Sequence, residues 1–148
     1  NKIIKNLNVI IIDKNLNIPL NINLLKNLHE RRVIIFTSKK NNKSQKLKQL
    51  GCEIIEMKIV NNKFDLKKIF SHIYQLKISD LMVEAGGILF ADLIKNNLVD
   101  EILLFKASFI IGEKGVPVIE GNSLNNIKKK LLEIIKFDDN LYLKYAIK

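Results

Sequence analysis

The stretch Val83-Glu84-Ala85-Gly86-Gly87-Ile88-Leu89 is the part of this chain best suited to chemistry. An apolar, strand-like run ends there, two glycines turn the chain, and a helix-like segment begins. Glycines at such a junction let the backbone approach a phosphate. The first turn of the helix offers unpaired N–H groups at the positive end of its dipole. The spacing is not that of the GxGxxG dinucleotide fingerprint. On pattern alone, a plain tight turn explains the glycine pair equally well. Glu84 sharpens the question. A carboxylate directly after a buried apolar strand is costly unless it is paired, hydrated or used. In use it would accept hydrogen bonds from a polyhydroxylated substrate; otherwise it is a strand-end glutamate facing water.

Asp13-Lys14 closes another apolar run. Lys14 can meet an anionic cofactor group as a point charge, although an ordinary exposed lysine is the commoner outcome. Thr37-Ser38 ends the next such run and carries a weaker version of the same argument. His29 and His72 stand far apart, without metal-ligand spacing, so no metal site is expected. Cys52 reads as a small buried hydrophobe, because no basic neighbour favours a thiolate. Neither a Ser-centred nucleophile elbow nor a Walker loop occurs.

These residues need elements to hold them. Val9-Ile10-Ile11-Ile12 and Val33-Ile34-Ile35-Phe36 are short continuous apolar runs, the pattern of strands buried on both faces. Cys52 to Met57 and Leu81 to Glu84 read as further strands. Leu24 to Leu28 reads as a helical turn. Ser44 to Leu50 reads as a short helix, with Ser44 as N-cap and Gly51 ending it. Asp65 caps a helix whose Leu66, Ile69, Phe70, Ile73 and Leu76 share one face. Ile88 to Asn97 is a helix with Leu89, Phe90, Leu93 and Ile94 inward. Beyond Glu101 the pattern changes to a long strand over Ile102 to Ile111, then a loop marked by Gly112, Gly115 and Pro117. Leu132 to Phe137 and Leu141 to Ile147 form a hairpin around Asp138-Asp139-Asn140. Strand–helix alternation followed by antiparallel strands predicts an α/β fold with a mixed sheet, in one domain over 1–148.

Composition sets the limits. The 148 residues are 47% hydrophobic and 27% charged, which excludes wholesale disorder. No apolar run approaches the roughly 20 residues of a membrane span. One cysteine excludes an internal disulfide and fits a reducing cytoplasm. Lys plus Arg is 25 and Asp plus Glu is 15, a net charge of +10. Such a balance can signal nucleic acid or an anionic ligand. Nearly all of it is lysine, however; Arg31 and Arg32 are the only arginines, and asparagine and isoleucine abound. Codon bias explains that composition, and base readout favours arginine. The densest run, Lys128-Lys129-Lys130, reads as a solvated helix end rather than a binding patch. Neither nucleic acid nor membrane is an expected partner.

Taken in order, the motifs resemble a known family. Asn8 to Asp13 with Asn17-Ile18-Pro19, Val83 to Leu89, Asn97-Leu98-Val99-Asp100-Glu101-Ile102 and Gly112 to Pro117 are similar to the riboflavin-biosynthesis pyrimidine reductase, the C-terminal reductase domain of the bifunctional deaminase-reductase. Val-Glu-Ala-Gly-Gly and Leu-Val-Asp-Glu-Ile are the most specific parts. The resemblance implies a dihydrofolate reductase-like fold. It also implies NADPH-dependent reduction of the ribosyl group of 5-amino-6-(5-phosphoribosylamino)uracil to the open-chain ribityl form. Glu84 matches the glutamate that contacts substrate. Gly86, Gly87, Ile88 and Leu89, with Phe90, Ala91 and Asp92 at the start of their helix, match the NADPH pyrophosphate loop. The position after Asp13 is usually a small hydroxyl residue near the cofactor's 2′-phosphate. Here it is Lys14, which would serve that phosphate by charge. The resemblance also leaves room for a homodimer and for a deaminase domain, fused or separate, in the cytoplasm.

The family carries a first strand, a helix, a second strand and a phosphate-contacting basic segment ahead of the Val9 strand. This chain opens instead at Asn1. The expectation is a reductase domain lacking its N-terminal strands, a fragment or reduced version that alone binds NADPH weakly or not at all. The alternatives are a non-catalytic chain that works only with a partner, a dihydrofolate reductase-like enzyme acting on a pterin, and a basic nucleic-acid-binding module.

Overall fold

The computed structural model describes residues 7–121 and 127–147; Asn1, where the chain opens, lies outside them. The chain divides into two compact units, Asn1–His72 and Ile73–Lys148.

In the first unit, three strands form a parallel sheet in the order β1 (Leu7–Ile12), β2 (Arg31–Thr37), β3 (Glu53–Glu56). The central strand carries the continuous apolar run, and Val33 to Phe36 are at most 1% exposed. Alternation along a strand sends Val33 and Ile35 to one face and Ile34 and Phe36 to the other. The first pair packs with Leu16, Leu25, Leu47 and Cys52. On the other face, Phe36 meets the ring of His72 edge-on, with centroids 5.7 Å apart. Both-face burial, expected from the sequence, is therefore present in β2.

A 3-10 turn, Asn23–Leu25, stands where a helical turn was expected, and α1 spans Asn42–Gln49. Its N-cap is Asn41, one correction to the sequence reading. The Asn41 side chain accepts from the amides of Lys43 and Ser44, and the Ser44 hydroxyl accepts from the Asn41 amide. Ser44 is thus the return arm of a capping box rather than the cap. A small antiparallel hairpin, β4 (Ile59–Val60) and β5 (Lys63–Phe64), precedes α2 (Leu66–Gln75). Asp65 caps α2 as expected, accepting from the Lys68 amide.

In the second unit, α3 spans Gly87–Lys95 and buries Gly87, Ala91, Leu93 and Ile94. Leu89 and Phe90 are half-buried. An antiparallel sheet follows, in the order β6 (Glu101–Lys106), β8 (Asn140–Ala146), β7 (Lys130–Phe137). The β7–β8 hairpin turns at Asp138-Asp139, as the sequence suggested; Asp138 takes a left-handed φ of 51°. Lys144 Nζ lies 2.9 Å from a Glu101 carboxylate oxygen across the β6–β8 ladder.

Three other expectations fail in this unit. Leu81 to Glu84 forms no regular element and pairs with no strand among the described residues, and Met82 is 74% exposed. An apolar run becomes a strand only where a ladder partner satisfies its backbone. The strand expected to reach Ile111 stops at Lys106, where β8 ends its pairing, and Ile110 is 97% exposed. Lys130 opens β7 rather than ending a helix, and Lys129 places its ammonium 4.2 Å from the centre of the Tyr145 ring.

The α/β class expected from the sequence is present, with a parallel three-stranded sheet and a small antiparallel hairpin in the first unit and an antiparallel three-stranded sheet in the second. Among the described residues no helix is long and apolar enough to cross a membrane.

Candidate functional site

The Gly-Gly turn is where the second unit shows a built junction. Gly86 is the N-cap of α3, with extended backbone at φ −71° and ψ 166°, and no side chain caps the helix there. No acidic residue occupies the first turn. This contrasts with α1, whose capping box satisfies its first amides. An uncapped N-terminus presents N–H groups and the positive dipole end to whatever lies in front. A Cβ built on Gly86 meets nothing within 4 Å, so the approach is open.

Gly87 is the opposite case. It is buried, and a Cβ there would stand 2.7 Å from the Pro117 carbonyl oxygen and 2.9 Å from the Glu120 amide nitrogen. The two glycines therefore answer different demands. The first leaves space before the helix, and the second lets the backbone of 117–120 close against it. The loop expected from Gly112, Gly115 and Pro117 is thus a wall of this junction. No local signal in the sequence pointed to that contact.

Glu84 lies two residues before Gly86 and is exposed. The sequence argument gave it a desolvation cost at the end of a buried strand. That premise fails, because the strand is not formed and the carboxylate faces solvent. Ile88 is exposed, Leu89 and Phe90 are half-buried, Ala91 is buried and Asp92 is half-buried.

In the first unit, Lys14 follows β1 and is anchored strongly. Its carbonyl oxygen accepts from the Ser38 amide at 3.1 Å, the Ser38 hydroxyl at 2.8 Å and the Thr37 hydroxyl at 3.3 Å. The hydroxyls of Thr37-Ser38 are thus engaged with the Lys14 main chain. Asp13 turns inward and accepts from the Ile18 amide at 2.7 Å, which shapes the loop after β1. The Lys14 ammonium donates to the carbonyl and side-chain oxygens of Asn62, both at 2.9 Å. Asn62 was missed in the sequence reading. Its signal was available, since Asn61-Asn62 between Ile59-Val60 and Lys63-Phe64 is a two-residue hairpin turn.

Cys52 is buried, as expected, and burial pushes its thiol up from the ordinary range. Among the described residues, no group of three or more His, Cys, Asp or Glu side chains could hold a metal ion.

Against this geometry, the profile of the RibD C-terminal domain matches residues 2–143. The chain belongs to the RibD C-terminal domain family. A RibD riboflavin biosynthesis protein from Aquifex aeolicus is 36% identical over 128 residues, covering 82% of this chain and 34% of that protein. A 2,5-diamino-6-ribosylamino-4(3H)-pyrimidinone 5′-phosphate reductase from Archaeoglobus fulgidus is 27% identical over 129 residues, covering 86% of this chain and 56% of that one. The chain thus spans between about a third and just over half the length of these two curated relatives. A crystal structure of a pyrimidine reductase-like protein from Corynebacterium diphtheriae superposes with a TM-score of 0.78 at 19% identity, over 93% of this chain and 59% of that one. The mixed α/β fold is the one seen in RibD reductase structures, including one from Acinetobacter baumannii at a TM-score of 0.74 and 21% identity, over 93% of this chain and 36% of that one.

Proposed function

We propose that the chain is the reductase part of a riboflavin-pathway enzyme, reducing the ribosyl group of 5-amino-6-(5-phosphoribosylamino)uracil to the ribityl form with NADPH. The single observation that carries this reading is the α3 N-terminus, uncapped and open at Gly86, inside a chain of the RibD C-terminal domain family. An anion fits there, and a dinucleotide pyrophosphate is the anion that a nicotinamide-dependent reductase brings.

When bound, the nicotinamide supplies the hydride. The protein's own residues then have binding and orienting to do. Amides at Gly87 to Leu89, with Gly86 leaving room in front of them, would hold the pyrophosphate, while the Phe90 amide donates to the Gly86 carbonyl and Ala91 and Asp92 complete the first turns of the helix. Lys14 would meet the cofactor's 2′-phosphate as a point charge. Glu84, an exposed carboxylate beside the glycines, would accept hydrogen bonds from the sugar hydroxyls of the substrate. A net charge of +10 favours encounter with two phosphorylated ligands. A cytoplasmic place, one reductase domain, a dimer and a deaminase domain elsewhere in the enzyme all belong to the same reading.

A second reading is a non-catalytic chain that works only with a further polypeptide. Large apolar side chains left in solvent favour it, among them Met82, Ile110 and Val116. Titration with NADPH, followed by cofactor oxidation in the presence of the phosphoribosylaminopyrimidine, separates the two. Saturable binding with turnover supports the reductase. Absence of binding in the full-length protein overturns it.

A further inference from the structure

We infer that Asn62 is a positioning residue that holds the Lys14 ammonium in place as a preformed, uncancelled cation for the 2′-phosphate of NADPH. The inference rests on the reading of Lys14 given above.

A surface lysine ordinarily samples many rotamers, and a ligand must order it on binding. Lys14 is instead fixed at both ends. Three donors from Thr37 and Ser38 converge on its carbonyl oxygen. At the other end its Nζ reaches 48 residues along the chain to Asn62, with two contacts of 2.9 Å.

The turn that presents Asn62 is specific in its chemistry. Asn61 and Asn62 take left-handed φ values of 49° and 62° between β4 and β5. Asparagine tolerates that region better than most residues, and its short side chain can stand beside its own carbonyl. Both acceptors can therefore face one ammonium. An ammonium has three N–H donors, so the pair occupies two and leaves the third. Both acceptors are neutral. They aim the cation without cancelling its charge, unlike the Glu53 carboxylate that pairs with Arg32 at 2.7 Å. Nothing in the β4–β5 hairpin requires this contact for its own ladder, which Ile59↔Phe64 and Val60↔Lys63 already close.

The test compares dissociation constants for NADPH and NADH in the full-length protein, read by cofactor fluorescence. Asn62→Gly keeps the left-handed backbone and the carbonyl but removes one acceptor. Asn62→Asp keeps the shape and adds a competing negative charge. The preference for NADPH over NADH should fall about three- to tenfold in Asn62→Gly, by loss of preorganisation. It should fall further in Asn62→Asp, with NADH affinity unchanged in both. Lys14→Ala should lose the preference, and adding Asn62→Gly to it should change nothing more. If Lys14→Ala loses the preference while both Asn62 variants keep it, the positioning role is overturned and the reading of Lys14 stands. If Asn62→Gly weakens NADH as much as NADPH, its effect is general and the positioning role is again overturned. If Lys14→Ala keeps the parent preference, the reading of Lys14 fails and the inference fails with it.

Discussion

A methyl group on Gly87 would stand 2.7 Å from the carbonyl oxygen of Pro117, closer than side-chain carbons approach real neighbours. The neighbour is backbone and cannot rotate aside. Gly87→Ala must therefore displace either α3 or the 117–120 segment. Overpacking of this kind costs about 1–3 kcal/mol. Chemical denaturation should show a loss in that range; a denaturation midpoint equal to that of the parent would mean that the two segments do not meet.

Gly86→Ser separates space from stability at the neighbouring position. The φ of −71° suits any residue, and no atom lies within 4 Å of a Cβ there. Serine is a good N-cap, so stability should change by less than about 0.5 kcal/mol. Its hydroxyl would accept from the same amides that a pyrophosphate needs. NADPH affinity should therefore drop while the fold is kept. Calorimetric titration checks this, and full affinity in a folded Gly86→Ser protein would remove the α3 N-terminus from the cofactor site.

Asn41→Ala tests the capping box that fixes α1 after β2. The substitution leaves the Lys43 and Ser44 amides without their side-chain acceptor. The expected loss is about 1 kcal/mol. Leu47, fully buried on the same short helix, ties the cap to the first unit's core. Asn41→Asp should restore most of the loss, because aspartate caps equally well. Urea melts of the two variants decide it: equal destabilisation by Ala and Asp would show that the box is not what holds α1.

The sequence was most legible where composition alone decides the outcome. The run Val33 to Phe36 has no polar face, so it can only be buried on both sides, and it is. Alternation in Leu141, Leu143 and Tyr145 specified a strand in a hairpin, and β8 pairs on both edges. Leu81 to Val83 looked the same locally but lacks a ladder partner among the described residues, and pairing is a property of two segments. The Gly86-Gly87 junction was readable as a turn before a helix. Its division of labour was not, because Pro117 and Glu120 are far away in sequence. Lys14 was readable as a charge at a strand end, while its partner Asn62 lies across 48 residues.

Cys52 sets a pH dependence with a definite sign. Burial raises its thiol above the ordinary value, so the unfolded chain loses the proton at lower pH than the folded one. Below about pH 8 both states hold the proton, and stability does not respond to this group. As pH rises through the ordinary thiol range toward the folded value, the unfolded state ionises first and stability falls. Cys52→Ala should flatten that part of the alkaline decline, at a modest cost in packing of about 1 kcal/mol. The comparison isolates the thiol from Lys144, which its hydrogen bond to Glu101 also raises. Parallel pH–stability curves for the parent and Cys52→Ala would rule out a buried thiol. Slow reaction of the native thiol with a disulfide reagent, accelerated by urea, gives an independent check.

Glu84 carries the substrate half of the proposed reaction, and its exposure makes the test clean. Because the carboxylate faces solvent on a segment outside the helices and sheets, replacing it by glutamine should change stability by less than about 0.5 kcal/mol. A hydrogen bond from a sugar hydroxyl to a charged acceptor is worth about 1.5–3 kcal/mol, against about 1 for a neutral one. Glu84→Gln should therefore raise KM for the phosphoribosylaminopyrimidine by about three- to thirtyfold. NADPH affinity should stay unchanged, since the amide groups two residues later are untouched. If NADPH affinity falls instead and KM holds, Glu84 belongs with the cofactor. If neither moves, the carboxylate is an ordinary solvated side chain, and the substrate's sugar must be recognised by other residues.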